Sequence, residues 1–522
     1  MEDDEFRDRV SSLLSMGPED SWVRKRFTPK RAVYILTFVL FLNYVDRGIV
    51  TGSANSIKGC VADISLCGYL KHRQPCPGRP VTNSTCDQCR ICGDICDDKI
   101  VTQSGFGINS TNLGVLQSMF MVGYVVGALF FGHMVNRVAP FKLISLGLFL
   151  WSVASFGSGL AGYTCDTKGG AHLCVSYYFL LAFRALSGVA EASLNTLSLP
   201  FLDDILDPST KGFYIGIYYA AIPCGTAFGV IWSGIIADAT GGHWEWAFLL
   251  QAPIMLPFAL LSYSVPFRYK IRENFMEDDG QSLLQISLAQ NIFACLRQPA
   301  FVFGILGYAM YTGVVAGLGF YGPIFIQDYR PCDSNWDIGQ SQADSIFGIV
   351  IGLSGLVGTI IGAQLVDRIA SDSNGRKNKN ALVMQLILQL GGGLLFSLIG
   401  INMLRPVWFF AILFIGSCFV FMVSTGINLM LMWTVPRVNR PMANSLTVFA
   451  IHSLGDVPSP ILIGYISDHH TPLFTLSITL GCILFAMLFW FAVLFVPVNI
   501  PQEDIDFDID DSLLIDSYTS LE

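Results

Sequence analysis

The fold of this chain is decided by two stretches, GFYIGIYYAAIPCGTAFGVIWSGIIAD at residues 212–238 and MANSLTVFAIHSLGDVPSPILIGYISD at residues 442–468. The second repeats the first at an offset of 230. A shorter pair, GALFFGHMVNR at 127–137 and GTIIGAQLVDR at 358–368, has an offset of 231. Two separate pairs with nearly the same offset indicate a duplicated chain. The positions shared by the longer pair are Ala220, Gly225, Ile231, Gly234, Ile236 and Asp238, which recur as Ala450, Gly455, Ile461, Gly464, Ile466 and Asp468.

The composition indicates that the duplicated unit lies in a membrane. Of the 522 residues, 52% are hydrophobic and 14% are charged, whereas soluble domains have roughly 25% charged residues. A membrane-spanning helix needs about 20 predominantly apolar residues. We therefore predict an all-α membrane protein with twelve helices, six in each half. The predicted spans are 32–54, 112–134, 141–162, 176–200, 212–238, 246–266, 299–326, 345–367, 381–402, 407–433, 440–466 and 472–497.

Basic residues orient these helices, because short loops rich in Lys and Arg stay in the cytosol. The segment before span 1 and the loops between spans 6 and 7 and between spans 8 and 9 are basic. Both termini are therefore predicted to be cytosolic, and the two halves share one orientation. The predicted organisation is a tail (1–31), a first half (32–266) with a Cys-rich luminal loop (55–111), a linker (267–298), a second half (299–497) and a tail (498–522).

The long loop carries signs of an extracytoplasmic compartment. Asn83 and Asn109 begin N-glycosylation sequons. Cysteines here and in the loop between spans 3 and 4 are expected to form disulfides, as in other oxidising compartments. Zinc or an iron–sulfur cluster is the alternative, because CDQCRICGDIC at 86–96 has the spacing of an iron–sulfur ligand set. The disulfide candidates are Cys60, Cys67, Cys76, Cys86, Cys89, Cys92, Cys96, Cys165 and Cys174.

Four ionisable residues lie inside predicted spans, where a charge costs about 2.5–3.5 kcal/mol. Asp46 and Arg47 lie near the middle of span 1, and Arg184 and Glu191 share a face of span 4. Their charges sum to zero, so we infer that they line a cavity and partly neutralise one another. Asp46 and Glu191 are predicted to couple protons, and Arg47 and Arg184 to bind an anionic substrate through their forked donors. A fixed structural salt-bridge network is the alternative.

Parallel six-helix halves are typical of major facilitator transporters, whose substrate site lies between the halves. GAQLVDRIASDSNGRKNK at 362–379 resembles the signature that follows helix 8 in that superfamily. In the first-half copy, Asn136 stands in place of the signature aspartate. The charges of the signature either form a gate or only mark the loop as cytosolic. The residues predicted to form a cytoplasmic charged gate are Asp367, Arg368, Arg376 and Lys377.

The motifs of spans 1, 4 and 11 resemble those of the spinster family of lysolipid and sphingolipid transporters. The matching stretches are NYVDRG at 43–48, RALSGVAEAS at 184–193 and HSLGDVPSPILIG at 452–464. The sequence departs from the family at Ala190, where glycine is frequent. The resemblance implies a lipid transporter of the major facilitator fold, and it adds Asn43 and Tyr44 to the predicted substrate site.

His452 lies at the start of the third of these stretches. Asp456 follows four residues later, so both lie on one helical face. A histidine can donate to a headgroup phosphate or titrate near the pH of an organelle. We predict that His452 binds substrate from the second half, with a purely structural role as the alternative.

The C-terminal tail, DIDDSLLIDSYTSLE at 508–522, contains two patterns that cytosolic adaptors read. An acidic tail without a signal is the alternative. The patterns predict clathrin adaptors as partners and the lysosomal or late endosomal membrane as the location, with the plasma membrane as the alternative. The predicted sorting residues are Asp510, Leu514, Ile515, Tyr518 and Leu521.

These features predict a proton-coupled secondary transporter that exports a lysophospholipid or sphingoid phosphate from lysosome to cytosol by alternating access. Protons are the expected coupling ion, and no other cofactor, metal or nucleic acid is expected. We predict a monomer that is not an enzyme, because no nucleophile–base constellation stands out. No phosphate-binding loop of the G-x-x-x-x-G-K-[ST] type occurs either. The alternatives are a facilitator for another small organic anion, such as a sugar phosphate or amino acid, and a non-transporting receptor or scaffold.

Overall fold

The computed structural model describes residues 29–58, 106, 108–134, 138–163, 175–205, 211–241, 243–264, 288–328, 340–369, 379–403, 405–436 and 439–497. Several predicted residues lie outside these ranges: Cys60, Cys67, Cys76, Asn83, Cys86, Cys89, Cys92, Cys96, Cys165, Cys174, Arg376, Lys377, Asp510, Leu514, Ile515, Tyr518 and Leu521. Their roles stay predictions.

Helical segments occupy all twelve predicted spans. The uninterrupted helices are α1 (Pro29–Gly52), α2 (Ser110–Met134), α3 (Pro140–Tyr163), α4 (Val175–Ile205), α5 (Lys211–Ala239), α7 (Pro299–Asp328), α8 (Gln340–Ile369), α9 (Lys379–Gly400) and α10 (Pro406–Met432). Short helices, Ala54–Lys58 and Leu288–Leu296, lie between spans.

The remaining three spans are interrupted. α6 has two α-helical parts, Glu245–Gln251 and Leu256–Tyr263, joined by a 3₁₀ turn at Ala252–Met255. α11 consists of Arg440–Ala450, a π-helical turn at Ile451–Asp456 and Pro458–His469. α12 consists of Pro472–Gly481 and Ile483–Phe495. π-Helical turns inside α-helices are frequent at functional sites.

Eleven helices among the described residues are long and apolar enough to cross a membrane. The twelfth span is α4, which at 31 residues reaches about 45 Å at 1.5 Å per residue. Its middle carries Arg184 and Glu191, and its charged end lowers its apolar content further. Because α4 packs against α2 and α3, protein surrounds these polar groups, as a membrane helix requires.

The described residues pack as two compact units. Unit 1 takes residues within 1–280, 320–349 and 460–469, and unit 2 takes those within 281–319, 350–459 and 470–522. Unit 1 therefore contains α1 to α6 together with the end of α7, the start of α8 and the end of α11. We call these the outer ends, since the predicted topology places them on the extracytoplasmic side. Their packing explains why the units differ from the predicted halves.

In unit 1, α1 packs against α5, and α2 and α3 pack against α4. Glycines allow α1 and α5 to approach closely. A Cβ atom added to Gly48 would lie 2.3 Å from the carbonyl oxygen of Thr226, and one added to Gly229 would lie 2.2 Å from that of Val45. Small residues at such crossings are typical of membrane helices. The crossing fixes the depth of Asp46 and Arg47, which directly precede Gly48.

The Gly48→Val variant is expected to lower the free energy of unfolding by about 1–3 kcal/mol, the usual cost of overpacking. The three atoms nearest to an added Cβ belong to the α5 backbone, so the helices must separate to admit the side chain. Thermal unfolding in detergent measures the effect. Gly319→Val is the matched control, because no described atom lies within 4 Å of a Cβ at Gly319. Equal melting temperatures for the two variants would contradict this account.

Unit 2 is built on α9, which packs against α10 and α12. The π-helical turn of α11 lies against α7. A Cβ atom added to Gly455 would lie 2.4 Å from the carbonyl oxygen of Ala309 and 2.5 Å from Oγ1 of Thr312. This close approach holds the turn that carries His452.

Candidate functional site

Helices α1 and α4 bring the four ionisable residues predicted inside spans 1 and 4 together as two ion pairs. Nη1 of Arg184 donates to Oδ2 of Asp46 at 2.7 Å. Nε of Arg47 donates to Oε2 of Glu191 at 3.0 Å. Asp46 and Arg47 are consecutive in α1, and their partners lie seven residues apart in α4. Each acid therefore pairs with the arginine of the other helix.

A neighbouring polar group donates to each carboxylate, although Oδ1 of Asp46 has no hydrogen-bond partner among the described residues. Nε1 of Trp151 in α3 donates to Oε1 of Glu191 at 3.2 Å. Oγ of Ser187 in α4 donates to Oδ2 of Asp46 at 3.4 Å. These hydrogen bonds lower the cost of holding ions away from water.

Aromatic rings surround the guanidinium of Arg47. Its Cζ lies 4.5 Å from the ring centre of Tyr44, 5.0 Å from that of Phe120 and 5.1 Å from that of Tyr124. The Phe120 ring also lies 4.7 Å from Cζ of Arg184. Cation–π contacts of this kind stabilise a desolvated guanidinium by about 2 kcal/mol. The rings therefore hold Arg47 without neutralising its charge.

The two pairs differ in exposure. The side chain of Arg47 is 13% exposed, whereas those of Arg184, Asp46 and Glu191 are at most 1% exposed. Among the described residues, Nη2 of Arg47 has no hydrogen-bond partner, and neither do Nε and Nη2 of Arg184. Arg47 is therefore the more exposed of the two arginines, although its unpaired Nη2 atom is itself buried.

The remaining predicted residues of unit 1 lie around this cluster or at the ends of α2. Asn43 is buried in α1, and its Oδ1 has no hydrogen-bond partner among the described residues. Asn109 is exposed, and its Oδ1 accepts a hydrogen bond from the backbone N–H of Asn112 at 2.9 Å. Its glycosylation stays a prediction.

In unit 2, Nδ1 of His452 lies 2.7 Å from Oδ2 of Asp456. Both belong to the π-helical turn, whose backbone is closed by the N–H of Val457 donating to the carbonyl oxygen of His452. The carboxylate fixes the orientation of the imidazole. The structure therefore pairs these two residues as their spacing indicates, while a role in binding stays a prediction.

Two of the four predicted gate residues fall within the described ranges. Arg368 is exposed at the end of α8, and Asp367 lies beside it in the same helix. Within the described part of the chain, no cluster of His, Cys, Asp and Glu is arranged to hold a metal ion.

The sequence analysis did not identify the aromatic residues that α2 and α3 contribute to the site. Trp151, Phe120 and Tyr124 come from α2 and α3, in stretches that read as ordinary apolar spans. Tyr124 follows Phe120 by four residues, so both lie on one face. That face could be assigned to the arginines only once the packing of α2 on α4 was known.

A duplicated set of six membrane-spanning helices, with two ion pairs buried in one half, is typical of a secondary transporter. A family model described as Major Facilitator Superfamily matches residues 36–455, and the chain belongs to this superfamily. The fold and the relatives are those of transporters and not of enzymes.

The predicted resemblance to the spinster family is confirmed by curated relatives. "Probable sphingolipid transporter spinster homolog 1" of Arabidopsis thaliana is 27% identical over 479 residues, covering 85% of this chain and 84% of that protein. A sphingosine-1-phosphate transporter of Danio rerio is 27% identical and covers 70% of each chain. Protein spinster homolog 1 of Homo sapiens is 28% identical, covering 70% of this chain and 67% of that protein.

A solved structure supports the fold. The crystal structure of a bacterial homolog to the human lysosomal transporter Spinster, in an inward-facing and unoccupied conformation, has a TM-score of 0.63 to this chain. Its sequence is 14% identical, and the match covers 92% of this chain and 98% of the bacterial one. The predicted twelve-helix fold is therefore confirmed.

Proposed function

We propose that the protein couples protons to the export of a lysophospholipid or sphingoid phosphate from the lysosome lumen to the cytosol, by alternating access. The observation that carries the proposal is Arg47, which is held by aromatic rings, paired with Glu191 through Nε and partly exposed. A guanidinium in this state offers a forked donor to a phosphate. The names of the sphingolipid-transporting relatives supply the lipid part of the proposal.

Coupling follows from competition for Arg47. A headgroup phosphate that binds Arg47 weakens its bond to Glu191, and a released carboxylate in a site of low dielectric binds a proton. Conversely, a protonated Glu191 no longer holds Arg47 and leaves it free for the phosphate. Because binding effects are reciprocal, proton and lipid favour each other. An acidic lumen then loads both, and the cytosol at higher pH releases both.

The substrate and the coupling are tested together in proteoliposomes that contain the purified full chain. Labelled lysophosphatidylcholine and sphingosine-1-phosphate are added on the side made acidic. Uptake of at least one lipid, together with a proton flux that a trapped pH dye reports, is expected. A protonophore that collapses the gradient should remove accumulation.

Other outcomes identify the competing functions. Uptake of a sugar phosphate without uptake of either lipid would favour a facilitator for small organic anions. Specific lipid binding without any transport would favour a receptor. Lipid uptake that ignores the proton gradient would leave the cargo and remove the coupling. Lysosomal residence through the C-terminal tail belongs to the same proposal, and deletion of 508–522 should move the protein to the plasma membrane.

A further inference from the structure

Asp344 is a buried carboxylate that belongs neither to the ion pairs of α1 and α4 nor to the pair of His452 and Asp456. It lies near the start of α8, beyond the first turn, and is 2% exposed. Among the described residues, its Oδ2 has no hydrogen-bond partner. None of the Lys, Arg and His side chains in the described ranges forms an ion pair with it. A carboxylate in such surroundings is costly to ionise.

The carboxylate is buried by the outer end of α5. A Cβ atom added to Gly234 would lie 2.9 Å from both Cβ and Oδ2 of Asp344. One turn along α8, a Cβ added to Gly348 would lie 2.9 Å from the carbonyl oxygen of Ala227. The two helices therefore touch backbone to backbone, and the Asp344 side chain fills the contact.

The crossing of α11 and α2 corresponds, in the duplicated chain, to the crossing of α5 and α8. It also carries a carboxylate, but in different surroundings. Gly464 is the repeat of Gly234, and a Cβ there would lie 2.3 Å from the carbonyl oxygen of Ser110. The carboxylate of Asp468 accepts the backbone N–H groups of Ser110 and Thr111, each at 2.8 Å. These donors are the orphan N–H groups of a helix start. Asp468 is thus satisfied as an anion, whereas the described residues provide no such donor to Oδ2 of Asp344.

Within the part of the chain that the structure describes, no basic side chain forms an ion pair that offsets the burial of Asp344. The titratable side chains described in the outer turns of the packing helices are Asp238 on α5 and Tyr321 on α7, and neither is basic. Tyr321 donates to the carbonyl oxygen of Ser110 at 2.6 Å. The amino group of Lys58, also in the outer part of unit 1, donates to Oγ of Ser110 at 3.0 Å. The neutral, protonated form of Asp344 therefore fits this contact.

We call the contact between the outer ends of α5 and α8 the outer gate. We propose that Asp344 is the proton-binding site of this gate. Asp344 takes up a proton from the extracytoplasmic side when α5 and α8 pack together, and releases it when they separate. The proposal rests on the alternating access proposed above, since α5 and α8 belong to different halves and must part for the outer side to open. The proposal does not depend on which substrate is carried.

The sign of the pH effect follows from linkage. The packed contact binds the proton more tightly than the separated, hydrated state does, so the packed form is favoured at low pH and lost as pH rises. One linked proton changes the ratio of the two forms by at most about tenfold per pH unit. An acidic lumen would therefore close the outer gate.

Distances between spin labels on α5 and α8 test this inference. A ketone-bearing unnatural amino acid replaces Ala239 and Gln342, both exposed, so that the native cysteines stay in place. Double electron–electron resonance measures the distance between the two spin labels on the full chain in nanodiscs, between about pH 5 and pH 8. The wild type should show a growing short-distance population as pH falls. Asp344→Asn should show that population at every pH.

The control is Asp238→Asn, an exposed carboxylate on α5 that should leave the pH dependence unchanged. If Asp344→Asn does not fold, Asp344→Ser provides a second neutral side chain with the same expected result. A wild-type distance distribution independent of pH, or a neutral variant with the wild-type slope, would overturn the inference. Lipid transport bears on it separately, because the distances respond to gate closure even if neither lipid is carried.

Discussion

The Glu191→Gln variant is expected to fold and to lose proton-driven lipid uptake by about tenfold or more, within the usual range of coupling free energies. A glutamine retains the size of the side chain and can still accept from Trp151. It removes the charge that holds Arg47 and the group that binds the proton. Arg47 then binds phosphate without competition, so lipid affinity is retained or increased while the driven step fails. Uptake in proteoliposomes against binding in detergent separates the two effects.

The matched control is Glu245→Gln in α6. Glu245 is also a buried glutamate of unit 1, at 1% exposure, and its Oε2 lies 3.7 Å from Nδ1 of His243. It takes no part in the charged cluster. Driven uptake should therefore survive this substitution. Normal uptake by Glu191→Gln, with the wild-type dependence on the proton gradient, would show that Glu191 is only a structural partner of Arg47.

The duplicated stretches and the apolar spans were sufficient to predict the fold. An offset of 230 between two similar 27-residue stretches indicates a duplicated unit, and the length of the spans follows from the thickness of a bilayer. The four charges could be identified because a charge inside a span is costly wherever it occurs. Their pairing required tertiary structure, because the face that α4 presents to α1 depends on how both helices pack.

Other features were less predictable for a definite physical reason. Trp151 and Phe120 belong to apolar spans in which aromatic residues are ordinary, so no local pattern separates a ligand-positioning ring from a core ring. Asp344 directly precedes the predicted span 8 (345–367), at a helix end where charge is ordinary, so the sequence did not single it out. Only the contact with Gly234 shows that this end is buried. The π-helical turn at Ile451–Asp456 likewise has no signature in apolar periodicity.

The Asp46→Ala variant is expected to lower the free energy of unfolding by about 3–5 kcal/mol, the cost of removing one member of a buried ion pair. It leaves the guanidinium of Arg184, 1% exposed, without its partner at 2.7 Å. Arg47→Gln should cost less, because the glutamine can still donate to Glu191 and the buried carboxylate can be neutralised by a proton. Thermal and denaturant unfolding in detergent would measure both.

The double variant Asp46→Asn with Arg184→Gln separates stability from function. Removing both charges of a buried pair is often neutral or stabilising, so the double variant should regain most of the stability that Asp46→Ala loses. Together with the single variants Asp46→Asn and Arg184→Gln, a double-mutant cycle then gives the coupling energy of the pair. Transport should stay low, because Asp46 can no longer exchange a proton and Arg184 can no longer contact an anion. A double variant that regained both stability and driven uptake would reduce this pair to a structural bridge, and would leave Glu191 and Arg47 to carry the coupling alone.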